Sequence, residues 1–349
     1  MKRNLLFVWA LLALVAGCKQ QSKEDKNPQQ TQADISGAGA TFPLPYYNVI
    51  FKDYTKKTGN KVNYGGIGSG GGIRSLKDKT VDFGASDAFL SDKEIEEFPD
   101  EIVHIPTCMG AVVLAYHLPG ISGLRLSGAL VADIFLGNIG KWNDSRISAL
   151  NPDISLPDQI ITPVYRSDGS GTTFVFSDYL AKVSDEWAKE MGVGKSLKWA
   201  VGIAAKGNPG VAGTVQQTVG TIGYIGSEYA LSLEIAMAKM QNKAGNFVEV
   251  TSETIAAAAN VALPEDMRTM LTDSPEPNAY PISCFTWIIV YKNQTDESRP
   301  AGNGKAVVDL LNYILSEDAQ AFATNVHYAP LPEKALENAK NLVKSIVFQ

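Results

Sequence analysis

An α/β fold divided into two lobes is what this sequence predicts, and three observations carry the prediction. Strand-like and helix-like runs alternate along the chain after residue 34, the pattern of βα units rather than of a sandwich or a bundle. The 349 residues are enough for two domains of ordinary size with real cores. The two most apolar runs, "GAVVLAYHL" at 110–118 and "CFTWIIVYK" at 284–292, bracket the middle of the chain. If both cross between lobes, one lobe is discontinuous, built from 35–117 plus 284–349, and the other is 118–283.

The elements follow in order. Pro43 and Pro45 mark the entry of a helix over Tyr46–Lys57, which stops at Gly59. "KVNYGGI" then reads as a strand, Gly72–Asp78 as a short helix and "VDFGAS" as a second strand. After the run at 110–118 come a helix at Gly128–Phe135, a strand in "ITPVYR", a long helix over Thr172–Glu190 and a strand in "TIGYI". The alanine-rich "TIAAAANVA" is a plain helix, and Lys305–Leu315 is another after the strand at 284–292. No internal repeat is visible.

The first 34 residues serve targeting. Met1-Lys2-Arg3 is a basic start, and Leu5–Ala16 is an apolar run of 12 residues, too short to span a bilayer comfortably. It ends in "LVAGC", which resembles a bacterial lipobox with Cys18 as the thiol that carries lipid. Residues 1–17 are then a signal peptide. Its removal takes away Lys2 and Arg3, so the charge goes from −6 to −6 − 2 = −8. Residues 18–34 contain no large apolar side chain and read as a lipidated, flexible tether reaching roughly 20–25 Å. The folded body is expected at a membrane surface outside the cytoplasm, in the periplasm or at the cell surface.

An acidic chain with no basic run among its aromatics is a poor nucleic-acid binder. The histidines His104, His117 and His327 are scattered, and no H-E-x-x-H or paired-cysteine motif is present. A metal site, a cofactor and hydrolytic catalysis are therefore not expected. Cys108 and Cys284 lie in apolar, strand-like surroundings, either paired in an oxidising compartment or kept as buried thiols.

The chemistry concentrates in glycine-rich loops. Gly66–Gly71 spells G-x-G-x-x-G after a strand and before a helix, but alone it is weak evidence for a dinucleotide. "GVGKS" at 192–196 lacks the first glycine of a phosphate loop, since Lys189 stands there. What the run shares with those motifs is backbone N–H groups at the positive end of a helix, an anion site. The device recurs in "SGAGATFPLPYY" and "YRSDGSGTTFVF", where small hydroxyl residues sit at positions that favour helix caps. Hydroxyls and amides can hold an oxyanion with few cations, and the last loop carries just Arg166.

Taken together, "GAGATFPLPYY", "TGNKVNYGGIGSGGG", "VDFGASDAFLSD", "LGNIGKWND", "DGSGTTFVFSDYLAKV" and "GTIGYIGSEYA" make the chain resemble the phosphate-binding protein family of bacterial phosphate-specific ABC transporters. The resemblance covers residues 35–349. It implies a two-lobed type II periplasmic-binding-protein fold with two hinge crossovers, closing around inorganic phosphate and serving membrane permease subunits. It also implies phosphate ligands at Thr41, Phe42, Ser69, Asp87, Arg166, Ser170, Gly171 and Thr172. In that scheme Asp87 accepts a hydrogen bond from the ligand's proton, and Asp168 lies outside the ligand set, orienting Arg166 or its loop. Two details depart from the family: Ser69 is followed by three glycines where a second serine is common, and Tyr165 precedes Arg166 where some members have a basic residue. Another tetrahedral oxyanion or a phosphonate is the alternative ligand, and a role in adhesion or signalling at the cell surface stays open beside transport.

Overall fold

The computed structural model describes residues 32–295 and 302–348. The signal peptide, Cys18 and nearly all of the expected tether lie outside the described residues.

The chain begins with β1 (Asp34–Gly39), α1 (Leu44–Thr58), β2 (Lys61–Gly66), α2 (Ser69–Lys77), β3 (Phe83–Ser86) and the short α3 (Asp92–Ile95). The long β4 (Ile102–Tyr116) leads to β5 (Arg125–Leu126), α4 (Gly128–Leu136), α5 (Ser145–Leu150), β6 (Thr162–Arg166), α6 (Gly171–Val183) and α7 (Asp185–Glu190). Then come β7 (Ile203–Ala205), α8 (Gly207–Gln217), β8 (Thr221–Gly226), α9 (Ser227–Ser232), β9 (Lys239–Gln241), β10 (Phe247–Val248) and α10 (Ser252–Ala257). The chain closes with β11 (Ser283–Tyr291), α11 (Asn303–Ile314), α12 (Glu317–Asn325) and α13 (Glu333–Lys344).

Eight strands form one sheet in the order β2-β1-β3-β11-β4-β8-β6-β7, and β10-β9-β5 form a small second sheet. β1 pairs in parallel with β2 and β3, and β6 in parallel with β7 and β8. Between these two parallel groups runs β4. Its first part pairs antiparallel with β11, from Tyr291↔Ile102 to Ser283↔Ala111, and its last part pairs with β8, from Val112↔Gly226 to Tyr116↔Ile222. One strand thus belongs to both halves of the sheet, and the chain passes between them twice, outward along β4 and back ahead of β11.

All of β4 and β11 is buried, as expected for strands covered by helices on both faces. β4 begins at Ile102, well before the apolar run at 110, because its polar residues are satisfied inside. His104 Nε2 accepts from the Leu90 N–H at 3.1 Å, and Thr107 Oγ1 donates to the Thr286 carbonyl at 3.2 Å. Burial pushes the His104 imidazole down to about 3, so it stays neutral and keeps that acceptor.

Two expectations need correction. The helix expected over Thr172–Glu190 is two, because Ser184 leaves helical geometry and caps α7 by accepting the Trp187 N–H at 3.2 Å. The alanine-rich helix ends at Ala257, and β1 was not legible as a strand because half of it is glycine and alanine. Cys108 and Cys284 are free, buried thiols on neighbouring strands, one opposite Thr286 and the other opposite Gly110. Burial raises both thiols well above their ordinary range, which makes them inert.

Candidate functional site

Several loops at strand ends converge where the two halves of the sheet meet. From the first half come the turn after β1 with Thr41 and Phe42, the start of α2 with Ser69, and the residue after β3, Asp87. From the second half come Arg166 at the end of β6, the start of α6 with Ser170, Gly171 and Thr172, and the start of α8. Thr41, Phe42, Ser69, Asp87, Arg166, Ser170 and Thr172 are all buried.

Only one of the expected hydroxyl caps is a cap. Ser170 accepts the Thr173 N–H at 3.0 Å as the N-cap of α6. The N-cap of α1 is Pro43 and that of α2 is Gly68, neither with a side-chain bond. The Thr41 and Ser69 hydroxyls are thereby released from capping and turn to the opposite half. Gly68, at φ 90°, is where the chain must be glycine: a Cβ there would lie 2.4 Å from Asp168 Oδ2. The glycine run therefore lets the two backbones approach, and the Gly70 N–H donates to the Gly169 carbonyl at 2.9 Å.

Asp168 fixes Arg166, the one buried cation among the described residues. Its carboxylate accepts from Arg166 Nε at 2.8 Å and Nη2 at 2.5 Å, and from the Gly207 N–H at 2.9 Å. Burial alone would raise the Asp168 carboxyl, but the Arg166 bonds, the Arg166 charge and the Gly207 N–H together outweigh it and hold the group below its ordinary value. Such a forked pair locks the guanidinium plane. Arg166 Nη1 is left to donate to Thr172 Oγ1 at 3.4 Å.

Polar bonds cross between the halves at each of these loops. The Gly171 N–H donates to Ser69 Oγ at 3.0 Å, and Thr172 Oγ1 donates to Asp87 Oδ2 at 3.3 Å. Asp87 Oδ1 accepts from Thr286 Oγ1 at 2.9 Å. Burial pushes the Asp87 carboxyl up to about 7, against the lowering effect of the Thr286 bond, the Arg166 charge and the Thr172 bond. A carboxyl poised there can act as hydrogen-bond acceptor or, once protonated, as donor.

Sequence reasoning missed three residues here. Asn208, the second residue of α8, donates to Thr41 Oγ1 from its backbone at 3.0 Å and its side chain at 3.1 Å, and to Thr172 Oγ1 at 3.1 Å. Its signal was "KGNPG", a fourth glycine-flanked helix start. Thr286, inside an apolar strand, gave none. Nor did Glu228, a fully buried carboxyl whose oxygens find no hydrogen-bond partner among the described residues. Burial pushes Glu228 well above its ordinary range, and the nearby Asp87 adds to the rise, so it is held neutral. Lys195, from the failed phosphate-loop motif, pairs with Glu94 at 2.7 Å across the two halves.

Four helix starts, fixed hydroxyls, one neutralised arginine and a poised carboxyl have the chemistry to hold a small oxyanion, by hydrogen bonds more than by net charge. The pattern of the PBP superfamily domain matches residues 25–318. A phosphate-binding protein PstS from Xylella fastidiosa is 42% identical over 338 residues, covering 95% of this chain and 89% of that protein. The PstS of Pasteurella multocida is 42% identical, covering 88% and 89%. A solved phosphate-binding protein from Stenotrophomonas maltophilia superposes with a TM-score of 0.67 at 20% identity, covering 88% of this chain and 93% of that one. At that identity the superposition speaks for the fold.

Proposed function

The chain belongs to the PstS phosphate-binding protein family of the PBP superfamily, and from that membership we propose that it binds inorganic phosphate outside the cytoplasm and delivers it to the permease of an ABC transporter. The observation that carries the reading is the set of bonds between the halves: Ser69 to Gly171, Asp87 to Thr172, and Thr41 to Asn208. Phosphate oxygens can take over these donors and acceptors while keeping both halves engaged. The halves, 35–117 with 284–349 and 118–283, then act as two lobes of a clamp.

In this reading Thr41, Ser69, Ser170 and Thr172 offer hydroxyls, Phe42 and Gly171 offer N–H groups, and Arg166 offers one charged donor. Asp87 reads the proton. Phosphate near neutral pH keeps at least one proton, which a carboxylate can accept, whereas sulfate meets Asp87 with lone pairs alone. While Asp87 is ionised, that mismatch leaves a buried acceptor unpaired beside like charge, worth several kcal/mol and roughly a thousand-fold preference. The reading assigns no catalytic step. Lipid on Cys18 would hold the clamp at the membrane beside its permease. Among the described residues no helix is long and apolar enough to cross a membrane.

Calorimetric titration with phosphate and sulfate in one buffer tests the proposal. One-to-one phosphate binding is expected, with sulfate weaker by about tenfold or more at pH 8, where most Asp87 is ionised. Equal affinities would overturn the assignment of phosphate.

A further inference from the structure

Three consecutive carbonyls in the turn before α1 are each capped by a tyrosine hydroxyl from a different part of the chain. Tyr64 of β2 donates to the Ala40 carbonyl at 2.7 Å, Tyr229 of α9 to the Thr41 carbonyl at 2.5 Å, and Tyr328 to the Phe42 carbonyl at 2.5 Å. The N–H groups of Thr41 and Phe42 carry no hydrogen bond among the described residues. In a planar trans peptide the C=O and N–H point in opposite directions. Capping the oxygen therefore fixes where the following N–H aims. A hydrogen bond to the oxygen also polarises the amide, and such chains strengthen by about 10–30% per bond.

The three caps differ in origin. Tyr64 belongs to the same half as the turn, and Tyr328 caps the Phe42–Pro43 peptide, which has no N–H. Tyr229 comes from the other half, following β8, and its cap acts on the Thr41–Phe42 peptide. We propose that Tyr229 is a positioning residue for the bound anion: its hydroxyl aims and strengthens the Phe42 N–H, and does so only when the two halves meet. Closing the clamp then sharpens one of the donors that holds the ligand. Burial keeps the Tyr229 hydroxyl far above its ordinary titration range, so it stays a donor.

This inference rests on the phosphate reading, and amide NMR of the phosphate-saturated protein tests it. Tyr229→Phe should shift the Phe42 amide proton upfield, leave the Thr41 amide nearly unmoved, and weaken phosphate binding about tenfold, mostly through faster release. Tyr64→Phe should move the Thr41 amide instead. Incorporation of 3-fluorotyrosine at 229, a stronger donor of nearly the same shape, should move the Phe42 amide downfield. An unmoved Phe42 amide in Tyr229→Phe, or an unchanged dissociation constant, overturns the proposal. If Tyr229→Phe proves too unstable to titrate, an unmoved Phe42 amide in the fluorotyrosine protein overturns it equally. Absence of any phosphate-induced shift in the wild-type protein would overturn the phosphate reading itself, and this inference with it.

Discussion

Asp87 and Glu228 are two buried carboxyls with opposite surroundings. Asp87 has two threonine donors and the Arg166 charge nearby, while Glu228 has no hydrogen-bond partner among the described residues. With Asp87 at about 7, its protonated form can donate to sulfate, and binding sulfate should draw in a proton. Sulfate affinity should therefore rise as pH falls toward about 7, by up to tenfold per unit, and level off below it, and Asp87→Asn should remove that dependence while raising sulfate relative to phosphate. Competition titrations at pH 6 and pH 8 measure both; a pH-independent sulfate affinity in the wild type contradicts the proton-reading role. For stability the signs are fixed by the shifts. Both groups are raised in the folded state, so their contribution is full below the unfolded carboxyl values and is lost as pH rises through the folded ones. For Glu228 the loss has a slope of up to about 1.4 kcal/mol per pH unit. The stability of Glu228→Gln relative to the wild type should therefore climb from pH 5 to pH 8 in denaturant titrations, and a flat difference would mean that Glu228 is ionised in the fold.

At the scale of elements, the glycine at the head of α6 decides how closely the halves meet. A Cβ on Gly171 would lie 2.6 Å from Ser69 Oγ and 2.7 Å from the Asp87 amide nitrogen. Overpacking of that kind costs about 1–3 kcal/mol. Gly171→Ala should lower phosphate affinity by about ten- to a hundred-fold, with the ligand-free protein melting near the wild-type temperature because the clash lies between the halves. Unchanged affinity would show that the halves do not need this contact. Most elements were legible in the sequence. Val, Ile, Tyr and Trp mark β8 and β11, and Pro43 and Gly59 bracket α1. What escaped notice was whatever tertiary contacts decide: β1, half glycine and alanine but paired on both sides; the first eight residues of β4, polar in places but satisfied inside; and the break at Ser184, where a local cap ends one helix and opens the next.

For the molecule as a whole, the glycine-flanked motifs pointed to residues that converge where the two halves meet, because their chemistry is local, a hydroxyl or amide at a helix start. Asn208 carried the same local signal and was missed, whereas Thr286, Glu228 and the capping tyrosines were not legible, since each matters through a partner distant in sequence, such as the 188 positions between Thr41 and Tyr229. The amino-terminal reading makes a separate prediction. Cys18→Ala should move the protein from the membrane to the soluble fraction with phosphate affinity unchanged, and persistent membrane retention in detergent partitioning would contradict lipidation. The central claim is that one phosphate ion bridges the two halves of the sheet. Its most direct test is a distance measurement by pulsed electron resonance between nitroxides on Lys61→Cys, in β2 at one edge of the sheet, and Lys198→Cys, in the loop before β7 at the other. Phosphate should narrow the distance distribution and shift it to shorter values, while sulfate at the same concentration should not; a distribution that phosphate leaves unchanged or lengthens contradicts the clamp.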